Sequence, residues 1–416
     1  MSSIQMEGGF PLFGEVQIQG SKNATLPILA ATVLIPGISV LDHVPQITDV
    51  YSMITLLENC GCIVVWEGHS VIVDASLVSV GRLPKEDVIT MRSSIMLLGA
   101  LIGRTGRIFL DYPGGCIIGN RPIDLHLMAL RQLGVSITEC HAGVLAQTEQ
   151  LQGGTITLPF PSVGATENSI LAAVTASGTT TILNAAREPE IVELCGFLHK
   201  AGACIQGAGT ERIIIQGRTL QSMVHYRVSG DRIVAGTYLF SCVACTGEVK
   251  LMDAPIEQMS SVIQCAKQMG CTITRKDHNL TAIMERRCVP IPYLKTAVYP
   301  GFPTDLQSIL MAVYSHADGI GVIEETIFEN RFKIVKELQT MGAKITVLQN
   351  RATVTGHAHL HGTQVVAEEL RGGAALVVAG LASTGITIVS NPYYIDRGYE
   401  DITRDLRALG ARISKE

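Results

Sequence analysis

The 416-residue chain has few aromatic residues, few charged residues and no excess of basic ones. Aromatic residues make up 5% of the sequence and charged residues 17%, and 32 Lys and Arg stand against 37 Asp and Glu. A nucleic-acid-binding surface normally needs clustered basic residues and a high isoelectric point, whereas this chain has a net charge of -5 and an isoelectric point near 6.1. The composition therefore argues against a nucleic-acid partner and favours small-molecule ones.

Long apolar runs and paired cysteines are also missing. The uncharged stretch 24–41 is interrupted by Pro27, Pro36 and Gly37, and a membrane-spanning helix needs about 20 apolar residues. The first residues show no basic segment followed by an apolar one, so no secretory signal is predicted. Eleven Cys without paired spacing are typical of a reducing compartment. We therefore expect a cytoplasmic protein with no membrane partner.

Self-similarity at a fixed period is the strongest pattern that is present. A glycine followed three residues later by a β-branched residue recurs at intervals of 73, 68, 68, 72 and 68 residues, at Gly61, Gly134, Gly202, Gly270, Gly342 and Gly410. The pattern predicts a helix that ends at a glycine with positive φ and is followed directly by a strand. Upstream of each copy, a Gly-containing turn leads into a β-branched run. The sequence therefore predicts an α/β fold of six repeated units.

Each unit also contains a strongly apolar helix that begins with polar or charged residues. These openings are spaced 70, 74, 66, 73 and 66 residues apart, at Lys22, Arg92, Thr166, Arg232, Asp305 and Arg371. Helices that are apolar on all sides have to be buried, which leaves only their N-terminal ends near solvent. Polar residues there are ordinary caps, but a cation at a helix N-terminus is unfavourable unless an anion shares the site. We expect two domains of three units, with a hinge just before Asp231 and anion-binding helix ends.

One loop breaks the repeat. The distance from the turn glycine to the helix-ending glycine is 28 residues in the second unit and 23 to 25 in the others. The extra residues lie within 111–126, a segment rich in Gly and Pro with Cys116 near its centre. A thiol on such a surface loop, close to a cation such as Arg121, has a lowered pKa and is reactive. Cys116 is therefore a candidate nucleophile or general acid, and an inert buried thiol is the alternative.

Together these segments resemble the UDP-N-acetylglucosamine 1-carboxyvinyltransferases, the enolpyruvyl transferases of peptidoglycan synthesis. The motifs are GSKNATLPIL at 20–29, MRSSI at 91–95, PGGCIIGNRPIDLH at 113–126, PSVGATEN at 161–168, YPGFPTDLQ at 299–307, TIFENRF at 326–332 and IDRGYE at 395–400. The resemblance covers the whole chain and implies two inside-out α/β barrels, each built from three βαβαββ units. It also implies an N-terminal domain at 22–230, carrying the Cys116 loop, and a C-terminal domain formed by 1–21 plus 231–416.

The resemblance assigns two overlapping sets of site residues. The set implied for phosphoenolpyruvate is Lys22, Asn23, Cys116, Arg121, Arg331, Arg371 and Arg397. The set implied for UDP-N-acetylglucosamine is Arg92, Arg121, Pro122, Ile123, Asp124, Leu125, Ser162, Val163, Gly164, Asp305 and Ile327. Arg232 is expected to line the same cleft. A substrate that carries both a phosphate and a carboxylate requires several fixed cations, and Arg binds either group with two hydrogen bonds.

The implied reaction moves the enolpyruvyl group of phosphoenolpyruvate to the 3-hydroxyl of the sugar by addition and elimination, releasing phosphate. Cys116 would be the general acid that protonates C3 and Asp305 a candidate base, with Lys22, Arg397 and Glu369 as further catalytic residues. No metal or organic cofactor is implied, and the sequence predicts no particular oligomeric state. We also weighed the sister transferase that uses shikimate 3-phosphate, which Asn23 and the Cys-bearing loop disfavour.

One residue departs from the family pattern. The family has Asp in the Asp-Leu-Arg triplet, whereas this chain has Glu369 before Leu370 and Arg371. The added methylene shifts the carboxylate, and a misplacement of about 1 Å can lower a rate about 100-fold. A catalytically weak paralogue that binds the UDP-sugar and has a regulatory role is therefore the alternative function.

Two metal-like or redox-like patterns are interpreted as structural. Cys242 and Cys245 have a redox spacing but lie in an apolar helix without a cationic neighbour, which favours core packing. His357, His359 and His361 alternate along one strand face, but no carboxylate or thiol lies nearby in the sequence to complete a metal site.

Overall fold

A computed structural model describes residues 2–79, 82–114, 119, 122–356 and 359–416. Cys116 and Arg121 lie outside these residues. The helices are α1 (Lys22–Thr32), α2 (Thr48–Asn59), α3 (Lys85–Val88), α4 (Met96–Thr105), α5 (Asp124–Gln132), α6 (Val163–Ala173), α7 (Pro189–Lys200), α8 (Arg232–Cys245), α9 (Ser260–Gln268), α10 (Gln307–His316), α11 (Val335–Thr340), α12 (Leu370–Ala382) and α13 (Ile402–Ala408).

The strands alternate with these helices along the chain. They are β1 (Ser3–Gly8), β2 (Leu12–Gln17), β3 (Ile38–Asp42), β4 (Ile63–Glu67), β5 (Ser70–Asp74), β6 (Arg107–Asp111), β7 (Ser136–Glu139), β8 (Gly143–Gln147), β9 (Thr155–Thr157), β10 (Thr179–Leu183), β11 (Cys204–Gln206), β12 (Arg212–Gln216), β13 (Met223–Arg227), β14 (Gly247–Met252), β15 (Thr272–Lys276), β16 (Asn279–Met284), β17 (Tyr293–Lys295), β18 (Ile320–Glu324), β19 (Lys344–Leu348), β20 (Arg351–Thr355), β21 (Gln364–Val366), β22 (Gly385–Ser390) and β23 (Arg412–Lys415).

The chain divides into two compact units of similar size. The N-terminal unit holds the described residues of 20–116 and 121–229, and the C-terminal unit holds those of 1–19, 117–120 and 230–416. The division drawn from the sequence, 22–230 and 1–21 plus 231–416, differs by one or two residues at its outer bounds. It also differs in placing Gly119 in the N-terminal domain, whereas the structure assigns this residue to the C-terminal unit. As a statement about independently folding domains it stays a prediction.

Each unit contains three small sheets. Those of the N-terminal unit have the strand orders β13-β3-β5-β4, β6-β8-β7 and β11-β12-β10-β9, and those of the C-terminal unit have the orders β21-β22-β1-β23, β15-β16-β14-β2 and β17-β18-β20-β19. Along β16, β22 and β12, buried residues alternate with more exposed ones, as expected when one face of a sheet packs on helices. Each of the six repeats in the sequence thus corresponds to one of these sheets.

The first two strands of the chain belong to sheets of the C-terminal unit. β1 lies between β22 and β23 and pairs antiparallel with both, so that Ile4 is opposite Val389 and Lys415. β2 pairs parallel with β14. The C-terminal unit is therefore built from both ends of the sequence.

The apolar helices lie inside the units, as their sequences predict. α8 and α12 have only buried residues, apart from the last residue of α8, and α1, α6 and α10 are buried along almost their whole length. α1, α4 and α6 contribute to one hydrophobic core, and α8, α10 and α12 to the other. In the part of the chain that the structure describes, no helix combines the length and the apolar character needed to span a bilayer.

The helix-ending glycines have the predicted backbone conformation. Their φ values are +89°, +84°, +94°, +104°, +98° and +85°, for Gly61, Gly134, Gly202, Gly270, Gly342 and Gly410. Each follows the last turn of a helix and precedes a strand by two residues. The prediction of six helix-glycine-strand junctions is confirmed.

Candidate active site

Asp305, Arg331 and Arg371 form a cluster of charged side chains in the C-terminal unit. Asp305 Oδ1 accepts a hydrogen bond from Arg331 Nη2 at 2.8 Å, and its Oδ2 accepts one from Arg371 Nη2 at 3.0 Å. Asp305 lies in the 3₁₀ turn Thr304–Leu306 that leads into α10, and Arg371 is the second residue of α12. Arg331 and Arg371 are 3% and 4% exposed in their side chains, and Asp305 is 24% exposed. One partly accessible carboxylate thus joins two buried cations.

The two guanidinium groups decide the protonation state of Asp305. Burial by itself would raise the pKa of this carboxyl, but the charges of Arg371 and Arg331 and the hydrogen bond from Arg371 hold the pKa well below its usual range. Burial lowers the pKa of Arg371, but the negative charge of Asp305 and its hydrogen bond outweigh this and raise that pKa. Asp305 is therefore ionised at every pH near neutrality, and in this arrangement it is a weak base.

The two arginines also have donors that no described residue satisfies. Arg331 Nε and Arg371 Nη1 are buried and have no hydrogen-bond partner within the described part of the chain. A buried donor without a partner costs about 1 to 3 kcal/mol, and more when it is charged. An anion that binds beside Asp305 would satisfy these donors and recover that cost.

Glu369 is the N-cap of α12. Its backbone is extended, and its carboxylate accepts hydrogen bonds from the backbone N–H of Arg371 at 2.8 Å and from that of Gly372. The same carboxylate lies 3.9 Å from Arg331 Nη1. The longer side chain therefore still reaches the helix end, and it adds a second negative charge to the arginine cluster.

Two further residues of the predicted set, Arg397 and Ile327, lie in segments of the C-terminal unit whose backbone is hydrogen-bonded by side chains. Arg397 ends the 3₁₀ turn Pro392–Arg397, and Gln19 fixes the next residues, because its amide donates to Gly398 O at 3.1 Å and accepts from Glu400 N at 2.9 Å. Ile327 N donates to Glu325 Oε1 at 2.7 Å. The sequence analysis did not identify Gln19 or Glu325, because nothing in the local sequence indicates these contacts.

In the N-terminal unit, Lys22 is the first residue of α1. Ser21 caps the helix by accepting from Ala24 N at 3.3 Å, and Lys22 Nζ lies 2.7 Å from Asp49 Oδ2. The side chains of Lys22 and Asp49 are 10% and 6% exposed. Asp49, in the first turn of α2, was missed by the sequence analysis, although an acidic residue there is a plausible partner for a buried lysine. Asn23 is next to Lys22 in α1.

A second part of the predicted site surrounds a cavity of about 360 Å³ in the N-terminal unit. Arg92 Nη2 donates to Pro122 O at 3.0 Å, and this contact joins two segments of the predicted UDP-sugar set. The cavity is lined by Arg92, Tyr112, Pro113, Pro122, Ile123, Asp124, Arg131 and Glu139. Leu125 is half-buried in the first turn of α5.

The segment 162–164 is tied to the same region through α5. Ser162 caps α6 by accepting from Ala165 N at 3.3 Å, Val163 begins that helix, and a Cβ on Gly164 would lie 2.9 Å from His126 Cε1. Asn168 then connects three elements: Gly99 N donates to its Oδ1 at 2.7 Å, its Nδ2 donates to Ile95 O at 3.0 Å, and its amide nitrogen lies 2.7 Å from His126 Nδ1. The predicted UDP-sugar residues of this unit therefore lie on packed, hydrogen-bonded elements.

Lys22 and Arg371, two of the cationic helix openings, have negatively charged partners within their own units. Lys22 has Asp49, Arg371 has Asp305 and the Glu369 cap, and Arg232 follows the Asp231 cap of α8, whose carboxylate accepts from Ile233 N and Val234 N. Three openings differ from the expected form. Arg92 and Asp305 lie in 3₁₀ turns that precede α4 and α10, and Thr166 is the fourth residue of α6. Lys22 and Arg371 are held in place by the carboxylates that pair with them.

A family model described as EPSP synthase (3-phosphoshikimate 1-carboxyvinyltransferase) matches residues 6–406. UDP-N-acetylglucosamine 1-carboxyvinyltransferase 2 of Caldanaerobacter subterraneus subsp. tengcongensis is 45% identical over 413 residues, which are 99% of this chain and 99% of the relative. The protein of the same name from Carboxydothermus hydrogenoformans is 43% identical over 418 residues, 100% of this chain and 99% of the relative. The chain belongs to the EPSP synthase family of enolpyruvyl transferases.

Solved structures of the family have the same fold. The enolpyruvyl transferase NikO from Streptomyces tendae matches with a TM-score of 0.90 at 25% identity, covering 100% of this chain and 98% of that one. EPSP synthase from Acinetobacter baumannii matches with a TM-score of 0.77 at 16% identity over 100% of both chains, which shows the fold alone. The predicted fold class and the predicted family of this enolpyruvyl transferase are confirmed.

Cys242 is buried, and burial raises its pKa to about 12, as expected for a thiol in the core. Burial also raises the pKa of Cys245. Among the described residues, no three His, Cys, Asp or Glu side chains are grouped so that they could bind a metal ion. His357 lies outside those residues, so the alternating histidines are only partly described.

Proposed function

We propose that this enolpyruvyl transferase moves the enolpyruvyl group of phosphoenolpyruvate to the 3-hydroxyl of UDP-N-acetylglucosamine and releases phosphate. Full-length relatives at 40% to 45% identity carry the name of that activity, which supports this acceptor over shikimate 3-phosphate. The observation that carries the proposal is the cluster of Asp305, Arg331 and Arg371, in which two buried cations share one carboxylate and keep donors without partners. A cytoplasmic location, where both substrates are made, belongs to the same proposal.

The arginine donors are proposed to bind the anionic groups of phosphoenolpyruvate. The residues that we assign to this substrate are Lys22, Asn23, Cys116, Arg121, Arg331, Arg371 and Arg397. A phosphate or carboxylate can accept two hydrogen bonds from one guanidinium group. The buried donors of Arg331 and Arg371 support this assignment, because no described residue satisfies them.

The cavity beside Arg92 is proposed to hold part of the UDP-sugar. Its walls combine proline and isoleucine side chains with Arg92, Asp124 and Arg131, a mixture that suits a nucleotide with an apolar ring face and polar edges. The further residues that we assign to this substrate are Arg121, Pro122, Ile123, Asp124, Leu125, Ser162, Val163, Gly164, Asp305 and Ile327.

The proposed reaction has an addition step and an elimination step. The 3-hydroxyl oxygen of the sugar bonds to C2 of phosphoenolpyruvate while its proton leaves and C3 gains a proton from Cys116. A proton then leaves C3, the C2–C3 double bond re-forms, and the C2–O bond to phosphate breaks. Proton transfer from a positioned side chain usually accelerates such steps about 10² to 10⁴-fold.

Asp305 is proposed to receive the hydroxyl proton. Its two arginine partners keep its basicity low in the free protein. When the negatively charged phosphate and carboxylate of the substrate bind beside Arg331 and Arg371, they offset the positive charges that lower the pKa of Asp305, and this pKa rises. Binding of phosphoenolpyruvate would thus activate the base that the reaction needs. Glu369, Lys22 and Arg397 are proposed as further catalytic residues.

The deciding experiment measures phosphate release from phosphoenolpyruvate in three parallel reactions. One contains UDP-N-acetylglucosamine, one contains shikimate 3-phosphate, and one contains the UDP-sugar with the Cys116→Ser variant. We expect release only with the UDP-sugar and its loss in the variant. Calorimetric binding of the UDP-sugar without any release would instead support the weak, regulatory paralogue that Glu369 suggested. Release with shikimate 3-phosphate alone would replace the proposed acceptor.

The assignment of the thiol has a separate test. The epoxide fosfomycin alkylates the loop cysteine of the resembled family, so intact-mass analysis should show one added equivalent, and peptide mapping should place it on Cys116. An adduct on the exposed Cys140, or no adduct, would refute a reactive thiol at position 116.

A further inference from the structure

One sheet of the N-terminal unit has an apolar outer face. In the sheet β13-β3-β5-β4, directly opposed residues form rows across the four strands. The first row is Met223, Ile38, Asp74 and Ile63, and the second is His225, Val40, Ile72 and Val65. We call the side chains of Met223, Ile38, Val40, Ile72, Ile63 and Val65 the apolar face.

These side chains point away from the core. Met223, Ile63, Val65 and Ile38 are 66%, 63%, 46% and 40% exposed, while their neighbours along the strands, such as Val224 and Val73, are buried. Leu77, which follows β5 in the chain, is 78% exposed. Single exposed apolar residues are normal, but a contiguous patch of them marks an interaction site.

The repeat itself provides the comparison that makes this face unusual. β4 follows the helix-ending Gly61, and each other copy has an equivalent strand at a sheet edge. At the two outward positions occupied by Ile63 and Val65, the other copies have Ser136 and Thr138, Cys204 and Gln206, Thr272 and Thr274, Lys344 and Thr346, and Arg412 and Ser414. The chain therefore keeps these positions polar or small in five copies and β-branched apolar in one. An exposed apolar edge strand promotes unwanted association unless a partner covers it.

The charges beside the apolar face indicate which partner fits. The third row across the sheet runs from Arg227 on β13 through Asp42 and Ser70 to Glu67 on β4, so opposite charges stand at its two ends. Arg227 and Glu67 are both exposed. When two copies of this face pack about a two-fold axis parallel to the strands, β13 of one copy lies over β4 of the other. Met223 then lies over Ile63 and Val40 over Ile72 of the second copy, while Asp74 lies over Ile38 and His225 over Val65. Each Arg227 faces a Glu67 of the second copy.

The other simple arrangement does not fit. A two-fold axis across the strands would place the first row on the third, so that Met223 would meet Arg227 and Ile38 would meet Asp42. Met223, Ile38 and Ile63 would then each be buried against a charged group, which costs more than the single such contact per copy, of Ile38 with Asp74, in the first arrangement. Asp74 is the one charged residue of the first row, and it lies at the end of β5, where its carboxylate accepts from Ser76 N at 2.9 Å.

We propose that the apolar face is a self-association surface through which two copies of this chain form a symmetric dimer, with reciprocal Arg227–Glu67 ion pairs. Four strands and five residues per strand span roughly 300 Å², whereas a stable interface buries about 800 Å² on each partner. The dimer is therefore weak and forms in the range of about 10 to 100 µM. This inference does not depend on the proposed catalytic activity.

The test is sedimentation velocity of the full chain between about 5 and 200 µM. We expect the weight-average sedimentation coefficient to rise from the monomer to the dimer value. Arg227→Glu and Glu67→Arg should each weaken association at least about 10-fold, because each homodimer then contains two like-charge pairs. An equimolar mixture of the two variants should restore dimers, since both ion pairs re-form in the heterodimer.

A second pair of variants tests the apolar rows. Ile63→Glu should abolish association, whereas Ile320→Glu, at a residue that is 59% exposed on β18 of a different sheet, should leave it unchanged. Circular dichroism melting of each variant reports whether it is folded. If Ile63→Glu does not fold, the association of the Arg227→Glu and Glu67→Arg variants tests the proposal. A single monomeric species up to 200 µM, or association that the mixture of charge variants fails to restore, would overturn the proposal.

Discussion

At the scale of single residues, Asp305 combines two functions that oppose each other. Its ion pairs with Arg331 and Arg371 hold two buried cations in fixed positions, and the same pairs remove its basicity. The two arginines come from elements far apart in sequence, so the carboxylate also ties the turn before α11 to the start of α12. Replacing it therefore affects both the stability of the C-terminal unit and the chemistry.

Asp305→Asn is expected to lower the free energy of unfolding by about 2 to 3 kcal/mol at pH 7. Breaking a fully buried ion pair costs about 3 to 5 kcal/mol, and Asp305 is 24% exposed, which reduces the effect. The unfolded chain takes up a proton on this carboxyl near pH 4, but the native pKa is well below that value. The stabilisation is therefore complete above pH 4 and is lost as the pH falls below it.

Urea unfolding of wild type and Asp305→Asn at pH 7 and pH 3 measures this difference. The gap between the two proteins should shrink by about 1 kcal/mol at pH 3. The matched control is Asp401→Asn, which removes a helix-capping carboxylate from the same unit without touching Arg331 or Arg371. A gap that is the same at both pH values would show that Asp305 is not held ionised by the arginines.

Glu369 caps the N-terminus of α12 in addition to its proposed catalytic role. Asp is among the preferred N-cap residues and Glu is not, but the Glu369 carboxylate still accepts two backbone hydrogen bonds at the start of α12. Glu369→Asp should therefore retain the cap and keep or raise turnover, because it brings back the residue typical of the family. Glu369→Ala should lower the free energy of unfolding by about 1 kcal/mol through loss of the cap.

Phosphate-release assays and thermal melts of the Glu369 variants separate the two effects. Glu369→Gln keeps the length of the side chain and removes its charge, so it reports the contribution of the charge next to Arg331. A large loss of turnover in Glu369→Asp, with unchanged melting, would contradict the interpretation of Glu369 as a tolerated replacement.

At the scale of elements, Asn168 holds the region around the Arg92 cavity together. Its amide bonds to Gly99 N and Ile95 O, two groups that a regular helix would join to each other, and to His126 on α5. All of these groups are buried. The ends of α4 and α5 are thereby positioned by one side chain from α6.

Asn168→Ala should lower the free energy of unfolding by about 3 kcal/mol, because it leaves several buried groups without partners. The affinity for UDP-N-acetylglucosamine should fall as well, since Arg92 and Pro122 are carried by the elements that Asn168 joins. Ser169→Ala is the matched control, because Ser169 Oγ donates only to Ala165 O within its own helix. Urea unfolding and calorimetry of both variants test this, and equal effects of the two substitutions would refute the bridging role.

The elements and the contacts between them were predictable to different degrees. The six helix-glycine-strand junctions follow from local rules, because a residue with positive φ and a change from helical to alternating periodicity are both visible within about ten residues. The partners of Lys22 and Arg371 are not local. Asp49 and Asp305 carry no sequence signal that links them to these cations, and only the packing of α1 on α2 and of α10 on α12 brings them together. Motif resemblance predicts a set of site residues without indicating which contacts hold them.

At the scale of the whole molecule, the two ends of the chain meet inside one sheet. β1 is flanked by β22 and β23, and the backbones of Ser3 and Glu416 exchange two hydrogen bonds, at 3.0 Å and 2.9 Å. The C-terminal unit is therefore closed by a non-covalent contact between sequence-distant strands. Because loop closure costs little free energy for a short connection, a covalent link at this point should be tolerated.

A circular permutant tests this closure. A short Gly-Ser linker would join residue 416 to residue 2, and new ends would be opened between Asp277 and His278, in the exposed turn that joins β15 to β16. We expect a cooperative thermal transition within about 5 °C of the wild type, since termini that lie close together at a surface usually permit permutation. The control is a permutant opened between Val249 and Lys250, in β14, which pairs with both β2 and β16 and should not fold. If both permutants fold equally well, the six sheets are not the cooperative units of this molecule. If neither permutant folds, a covalent link between residues 416 and 2 is incompatible with the pairing of β1 and β23.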